Sequence, residues 1–189
     1  MLPSKLKNFN YHDNGIGLVH EVAEIALPKI AEKVEAWRGG SMLGEVDVGL
    51  GLEKMEMETT VGGLAIPILR RFGIVGVAGQ MMRFNGAYQD EQIGVVTAAE
   101  LVVRGKHLEI DPGTAKAGDD TSWKIKSTLS YLKWTINGRV EVEIDVINNI
   151  MLIDGFDRMA QIRAALDGSA SLGIGVNISA GGIGAGINL

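Results

Sequence analysis

Apolar and polar residues alternate with a period of two along much of the chain, the mark of strands that bury one face. The clearest case is residues 123–147, where Asn137-Gly138 separates two β-rich arms. Asn-Gly supplies the positive φ angles of a type I′ turn, whose twist matches the strands it joins, so the segment predicts a hairpin. In its second arm Val140, Val142, Ile144 and Val146 point one way and Glu141, Glu143 and Asp145 the other. In the first arm Trp123, Ile125, Leu129 and Tyr131 share one phase, and Leu132, Trp134 and Ile136 take the opposite one. A phase change within a strand marks a bulge or a strand covered on both faces. Residues 82–88 and 93–104 read as another strand pair joined through 89–92. Residues 108–120, with Asp111-Pro112-Gly113 and Gly118-Asp119-Asp120, read as loop.

Helical spacing is scarce. Phe156, Met159, Ile162 and Leu166 recur at it, with Asp154 placed to cap the helix and Gly168 to stop it. A second short helix is expected after Pro67, using Ile68, Leu69 and Phe72. Residues 29–38 fit either state, because Ile30, Val34 and Trp37 match a helix while a strand is equally compatible. Near the C-terminus Leu172, Ile174, Val176 and Ile178 alternate with Gly173, Gly175, Asn177 and Ser179. That is a glycine-weakened strand pattern, best stabilised by pairing with an exposed edge; a low-complexity tail is the alternative. No internal repeat and no linker divides the chain. The sum is a mainly β fold with one or two short α-helices.

Composition narrows the chemistry. The 189 residues fit one domain by the usual ~100–200 residues per domain, and 46% hydrophobic residues suffice for a core. Eighteen Lys+Arg against 23 Asp+Glu leave a net charge of -5, which argues against gripping phosphate backbones. The absence of cysteine removes disulfides, thiolate catalysis and Cys-based zinc sites. Twenty-six glycines are about twice the ordinary ~7% and promise many turns and bulges. The N-terminal segment has two lysines but no apolar run of signal-peptide length, which predicts cytoplasmic residence. The long uncharged stretch 168–189 is too glycine-rich for a membrane span.

Catalytic signals are weak. His12, His20 and His107 have no second histidine at ligand spacing and read as surface or loop residues. Asp119 and Asp120 read as a solvated turn. The glycines at 73, 76 and 79 lead towards a strand, and those at 182, 184 and 186 have no room for a following helix, so neither is a dinucleotide fingerprint. Two acidic stripes remain, one of Glu141, Glu143 and Asp145, the other of Glu53, Glu56 and Glu58. Each is ordinarily a solvated sheet face; a functional version would repel polyanions.

Five segments together resemble the major tail tube proteins of contractile-tailed bacteriophages. They are LPKIAEKVEAWRGGSM at 27–42, VDVGLGLEKMEME at 46–58, RFNGAYQ at 83–89, LVVRGKHLEIDPGTAKAGDD at 101–120 and INGRVEVEIDVINNIMLIDGFDR at 136–158. The resemblance spans roughly residues 1–166, and tube proteins of R-type bacteriocins and type VI secretion are similar in fold. It implies a β-sandwich or partly closed barrel with a flanking helix, whose sheets join between subunits into hexameric rings stacked as a tube. Residues 1–167 are then the tube domain and 168–189 a C-terminal extension, a strand or surface arm that the family lacks. The implied partners are the chain itself, a sheath protein, and terminator, baseplate and tape-measure proteins, in a virion tail assembled in the host cytoplasm. DNA would pass through the channel without specific binding, no membrane is involved, and no catalytic residue, metal or cofactor is implied.

The resemblance also favours an extended 29–38 and a long loop around 39–51 reaching an adjacent ring, with Gly39, Gly40, Ser41, Met42, Gly44 and Glu45 as its contact residues. Six copies at -5 each would give -30 per ring, and Glu141, Glu143 and Asp145 would face the channel or solvent. The alternatives are a tube of a bacteriocin or secretion system without a genome, and a monomeric β-barrel that binds a small ligand.

Overall fold

The computed structural model describes residues 2–168, and the strand expected at 171–179 lies outside them. The first elements are β1 (Lys5–Asp13), β2 (Ile16–Gly17), β3 (Val22–Ala26), β4 (Glu32–Trp37), β5 (Val46–Leu52) and β6 (Met55–Gly62). There follow α1 (Ile66–Leu69), β7 (Gln80–Gln89), β8 (Val96–Asp111), β9 (Ser122–Ile136), β10 (Arg139–Asp145), β11 (Ile150–Ile153), β12 (Phe156–Asp157) and α2 (Ala160–Leu166). The main sheet runs β12-β11-β10-β9-β8-β7-β1-β2, with β6 against β9 and β3 against β6, every pair antiparallel. The mainly β class with two short helices is as expected, but the sheet is not closed into a barrel.

Strand β9 forks the sheet. Residues 122–129 pair with β6, whereas 131–136 pair with β10. At the fork β8 passes from Gly105, opposite Leu129, to Arg104, opposite Tyr131, so Ser130 is the extra residue of a bulge. Its hydroxyl donates to the Val77 carbonyl (2.9 Å) and its own carbonyl accepts from Val146 N–H. One extra residue inverts the period-two pattern. That is why Ile125 and Leu129 before the fork and Leu132 after it all reach the same core.

The core takes Tyr11, Met82, Phe84, Leu101 and Val103 from the middle of the sheet and Met57, Val61 and Ile144 from the two branches. Strand β6 alternates without interruption, with Met55, Met57, Thr59 and Val61 buried and Glu56, Glu58 and Thr60 on the other face. Ile68 of α1 is buried with them, following Pro67 in the first turn.

Among the described residues, three two-residue turns join strands through paired positive φ angles: Asn14-Gly15 (50° and 88°), Asn137-Gly138 (47° and 82°) and Asp154-Gly155 (51° and 80°). The middle one is the hairpin predicted above. The last corrects the helix expectation, because Asp154 serves a turn rather than a cap and Phe156 lies in β12. Helix α2 is consequently shorter, and Gly168, at φ 67°, follows its end. The expected loop at 108–120 is also shorter, since β8 continues to Asp111. The histidine expectation fails for His107, which is buried.

Residues 29–38 contain strand β4, as the family resemblance favours, and β4 pairs with β5 in a separate two-stranded sheet. The expected loop at 39–51 is shorter, because β5 begins at Val46 and leaves 38–45 as the connection.

Candidate functional site

Two surfaces bear on function: the face of the main sheet away from the core, and the β4–β5 hairpin. On the sheet face, residues directly opposite one another on neighbouring strands form rows. One row runs Leu152, Glu143, Lys133, Val102, Arg83 and His12; the next runs Ile150, Asp145, Tyr131, Arg104 and Met81. The acidic stripe is thus interleaved with cations, a relation the sequence of β10 alone does not contain. Glu143 lies opposite Lys133 and accepts a hydrogen bond from the Tyr131 hydroxyl (2.7 Å). The Arg104 guanidinium stands 5.6 Å from the centre of the Tyr131 ring, within cation–π range. Arg83 pairs with Glu100 at 3.4 Å.

Glu141 does not continue the stripe. It is the extra residue of a bulge between Val140 and Val142, beside Arg139 at 3.7 Å. The bulge also sets Val140 opposite Thr135, while Val142 faces Trp134 and packs against the core. Val146 lies beyond the strand and is exposed, so only Val142 and Ile144 of the expected apolar face point inward. Asp145 has a turn to hold: its carboxylate accepts from Ile147 N–H, Asn148 N–H and the Asn148 amide. Partial burial opposes its charge, but these donors outweigh that and hold its pKa below the ordinary value.

On the second acidic stretch, the Lys54 ammonium (2.6 Å) and then Lys126 (3.1 Å) hold Glu56 below the usual carboxylate range. Glu58 lies opposite Lys126. Burial, followed by the bond to Glu143, pushes the Tyr131 phenol up to about 12. A phenol whose folded pKa is raised stabilises the fold below the unfolded value of ~10 and loses that contribution as pH rises through the folded one. Ultraviolet titration of Tyr131→Phe is therefore expected to lack one phenol that ionises near pH 12 in the parent. An unchanged high-pH step would contradict the assignment.

The hairpin is exposed along both strands. Its register puts Trp37 opposite Val46 and Glu35 opposite Val48. By period-two alternation Trp37, Val46, Val48 and Leu50 share one face, and none is covered (62%, 49%, 44% and 54% exposed). The expected contact residues Gly39, Gly40, Ser41, Met42, Gly44 and Glu45 all lie in the connection between the strands. There Met42 N–H donates to the Gly39 carbonyl (3.0 Å), Gly39 N–H to the Met42 sulfur (3.0 Å), and Arg38 Nε to the Met42 carbonyl (3.4 Å). The turn is tied to itself, and Leu43 at its tip is 101% exposed. A lone two-stranded hairpin is marginal in water, so this one calls for a covering surface.

The sequence also concealed a buried polar cluster. Ser127 Oγ lies 2.8 Å from His107 Nδ1, and Asp13 Oδ2 lies 3.5 Å from His107 Nε2. Arg71 Nη1 donates to the Asp13 carbonyl (2.6 Å), and Gln80 accepts from His107 N–H (3.2 Å). The order Asp, His, Ser has the look of a hydrolytic relay, but the Asp13 and His107 side chains and Ser127 are each 1% exposed, leaving no place for a substrate. The cluster instead ties β1, β7, β8, β9 and the segment after α1 together. Asp13 and His107 are 94 residues apart in the sequence, and no local spacing reveals such a group. Asp119 is in an exposed turn, paired with Lys116 (2.6 Å). Among the described residues no three His, Asp or Glu side chains gather as metal ligands, and no helix is long and apolar enough to cross a membrane.

A family model described as phage tail tube protein FII matches residues 3–166. The tail tube protein of Escherichia phage P2 is 38% identical over 165 residues, covering 86% of this chain and 96% of that protein. The major tail tube protein of Serratia phage KSP20 is 35% identical over 156 residues, covering 82% and 90%. Among solved structures, a chain from the sheath–tube complex of an extracellular contractile injection system, PVC, in its extended state superposes with a TM-score of 0.53 at 8% identity, covering 70% of this chain and 91% of that one. A chain of that system's sheath/tube terminator gives 0.52 at 8% identity, covering 71% and 98%.

Proposed function

The chain belongs to the phage tail tube protein FII family, the structural virion proteins that form the tail tubes of contractile-tailed phages, and from that premise we propose that it assembles as stacked hexameric rings enclosing a channel for DNA during ejection. A sheath surrounds the tube, and terminator, baseplate and tape-measure proteins are its further partners. Assembly takes place in the host cytoplasm. Residues 1–167 make the tube domain, and 168–189 are an extension beyond the family match.

The observation that carries this reading is the β4–β5 hairpin, which presents Trp37, Val46, Val48 and Leu50 to water in a single copy. Exposed apolar surface of that kind marks an interaction site. A second support is the edge of β1, which pairs with β7 on one side and on the other, among the described residues, meets β2 only at His12 and Asp13. Residues 5–10 therefore offer backbone donors and acceptors to another strand.

If the polar sheet face lines the channel, its wall is a lattice of paired charges rather than the anionic band that β10 alone suggests. Glu143 beside Lys133 and Arg83 beside Glu100 neutralise one another locally. The net charge of -5 per copy keeps the balance repulsive to DNA.

Negative-stain electron microscopy of the purified chain tests the reading. Rings or hollow rods are expected. A protein that remains a single copy at high concentration, by sedimentation and by microscopy, overturns it.

A further inference from the structure

Asn-Gly occurs three times in the chain, at 14–15, 85–86 and 137–138. The pair is chemically labile as well as turn-forming, asparagine being one of the thermolabile residues. The main-chain nitrogen of the glycine can attack the asparagine Cγ, because the glycine has no side chain to stand in the way. A new C–N bond closes a succinimide ring while the bond to the amide nitrogen breaks and ammonia leaves. Water then opens either carbonyl of the ring, giving aspartate or the chain-lengthened isoaspartate. The balance is one amide and one water to one carboxylic acid and one ammonia.

The fold puts these three identical pairs in three environments. Gly86 lies inside β7, opposite Phe9 of β1 and Ala99 of β8, and a strand paired on both sides cannot bend onto its own side chain. Asn137 is in an exposed turn, but its Oδ1 accepts from Ala98 N–H (2.9 Å), and its own N–H donates to the Ala98 carbonyl (2.9 Å). Ring closure there must first break the side-chain bond. Asn14 is exposed, and among the described residues its carboxamide has no hydrogen-bond partner. Its N–H donates to the Met81 carbonyl (2.6 Å), which holds the main chain and leaves the carboxamide to rotate. The space that a Cβ at Gly15 would enter is open. We propose that Asn14-Gly15 is a site of spontaneous deamidation in the folded chain, while tertiary structure protects the other two pairs. The proposal goes beyond the tube reading and does not rest on it.

The position of the site gives the reaction a consequence. Asn14 follows Asp13, whose carbonyl accepts from Arg71 (2.6 Å) and whose carboxylate lies 3.4 Å from Arg71 and 3.5 Å from His107 in the buried cluster. Isoaspartate adds a carbon to the main chain of a turn built for two residues, and either product sets a second negative charge next to Asp13. Modification at residue 14 therefore loosens the cluster that ties β1 to the segment after α1.

Parent protein kept in warm, mildly alkaline buffer and sampled over time for peptide mapping by mass spectrometry is expected to convert Asn14 first. A hydrogen bond of ordinary strength slows Asn137 by about fivefold, and Asn85 is slower still. The same chain in concentrated urea, where only local sequence acts, is expected to convert all three at similar rates. Native Asn137 or Asn85 reacting as fast as Asn14 overturns the proposal, as does a native Asn14 that stays intact while the urea sample reacts. Asn14→Gly keeps the positive φ of the turn with no amide to lose. Incubated parent is expected to unfold at a lower temperature than fresh parent, and incubated Asn14→Gly at the temperature of its own fresh sample. An equal fall in both proteins overturns the coupling to the buried cluster.

Discussion

Trp37→Glu combined with Val48→Glu is expected to abolish assembly while leaving each copy folded. Both side chains lie on the uncovered face of the β4–β5 hairpin, so the monomer has little to lose, and surface changes of this kind usually stay within about 0.5 kcal/mol. The assembly has much more to lose. Covering a large apolar side chain stabilises a joint by about 1.5–3 kcal/mol, and an unpaired carboxylate trapped there costs several kcal/mol more. A loss of about 5 kcal/mol per joint weakens each contact by roughly 10³–10⁴-fold, and the penalty recurs at every copy. Circular dichroism and thermal unfolding should match those of a folded β protein, sedimentation should show single copies, and grids should be empty of rods. Rods at the parent's threshold concentration would remove this face from the interface.

Gly105→Ala should be the most damaging single substitution in the main sheet. Gly105 lies opposite Leu129 at the Ser130 bulge, and a Cβ there would overlap the Thr128 carbonyl oxygen and sit 2.9 Å from the Thr128 carbonyl carbon and 3.1 Å from Leu129 Cα. These are backbone atoms of the strand that divides the sheet, so no side chain can swing aside to make room. Overpacking of a rigid core costs about 1–3 kcal/mol and sometimes more; here the upper end applies. In a domain of this size about 3 kcal/mol lowers Tm by roughly 6–12 °C. Introduced into the Trp37→Glu/Val48→Glu chain, where association does not mask intrinsic stability, the change is read directly by thermal unfolding. A Tm within 2 °C of that background, a limit well inside the ~6 °C floor, would show that the bulge relaxes around the methyl group.

The turns were the most legible part of the fold. Asn137-Gly138 identifies its hairpin because the φ > 0 requirement belongs to the two residues themselves. The same signal stands at Asn14-Gly15 and Asp154-Gly155. In the second case the helical spacing of Phe156 with Met159 drew Asp154 into a cap, and that spacing proved accidental because β12 pairs with β11. The phase change in 123–136 pointed either to a bulge or to a strand covered on both faces, and Ser130 could be named only once the partners of β9 on both sides were known. The opposite error occurred in β10, where unbroken alternation hid a bulge at Glu141. The family resemblance implied a loop around 39–51, of which residues up to 45 are the connection, whereas the apolar face of the hairpin was not legible.

By itself the sequence determined the β class, the strands around 82–104 and 123–147 and the Asn137-Gly138 turn, together with membership of a tube family. These follow from local backbone preferences, and from words of sequence that remain recognisable when read along the chain. Tertiary structure alone decided which charges meet, that His107 is buried beside Asp13 and Ser127, and that the acids of β10 are answered by Lys133 and Arg104. It also decided which apolar residues are left for a neighbour to cover. The physical reason is that alternation reports on which side of a strand a residue lies, while its energy depends on what lies across the sheet, and in an antiparallel sheet that neighbour can be tens of residues away.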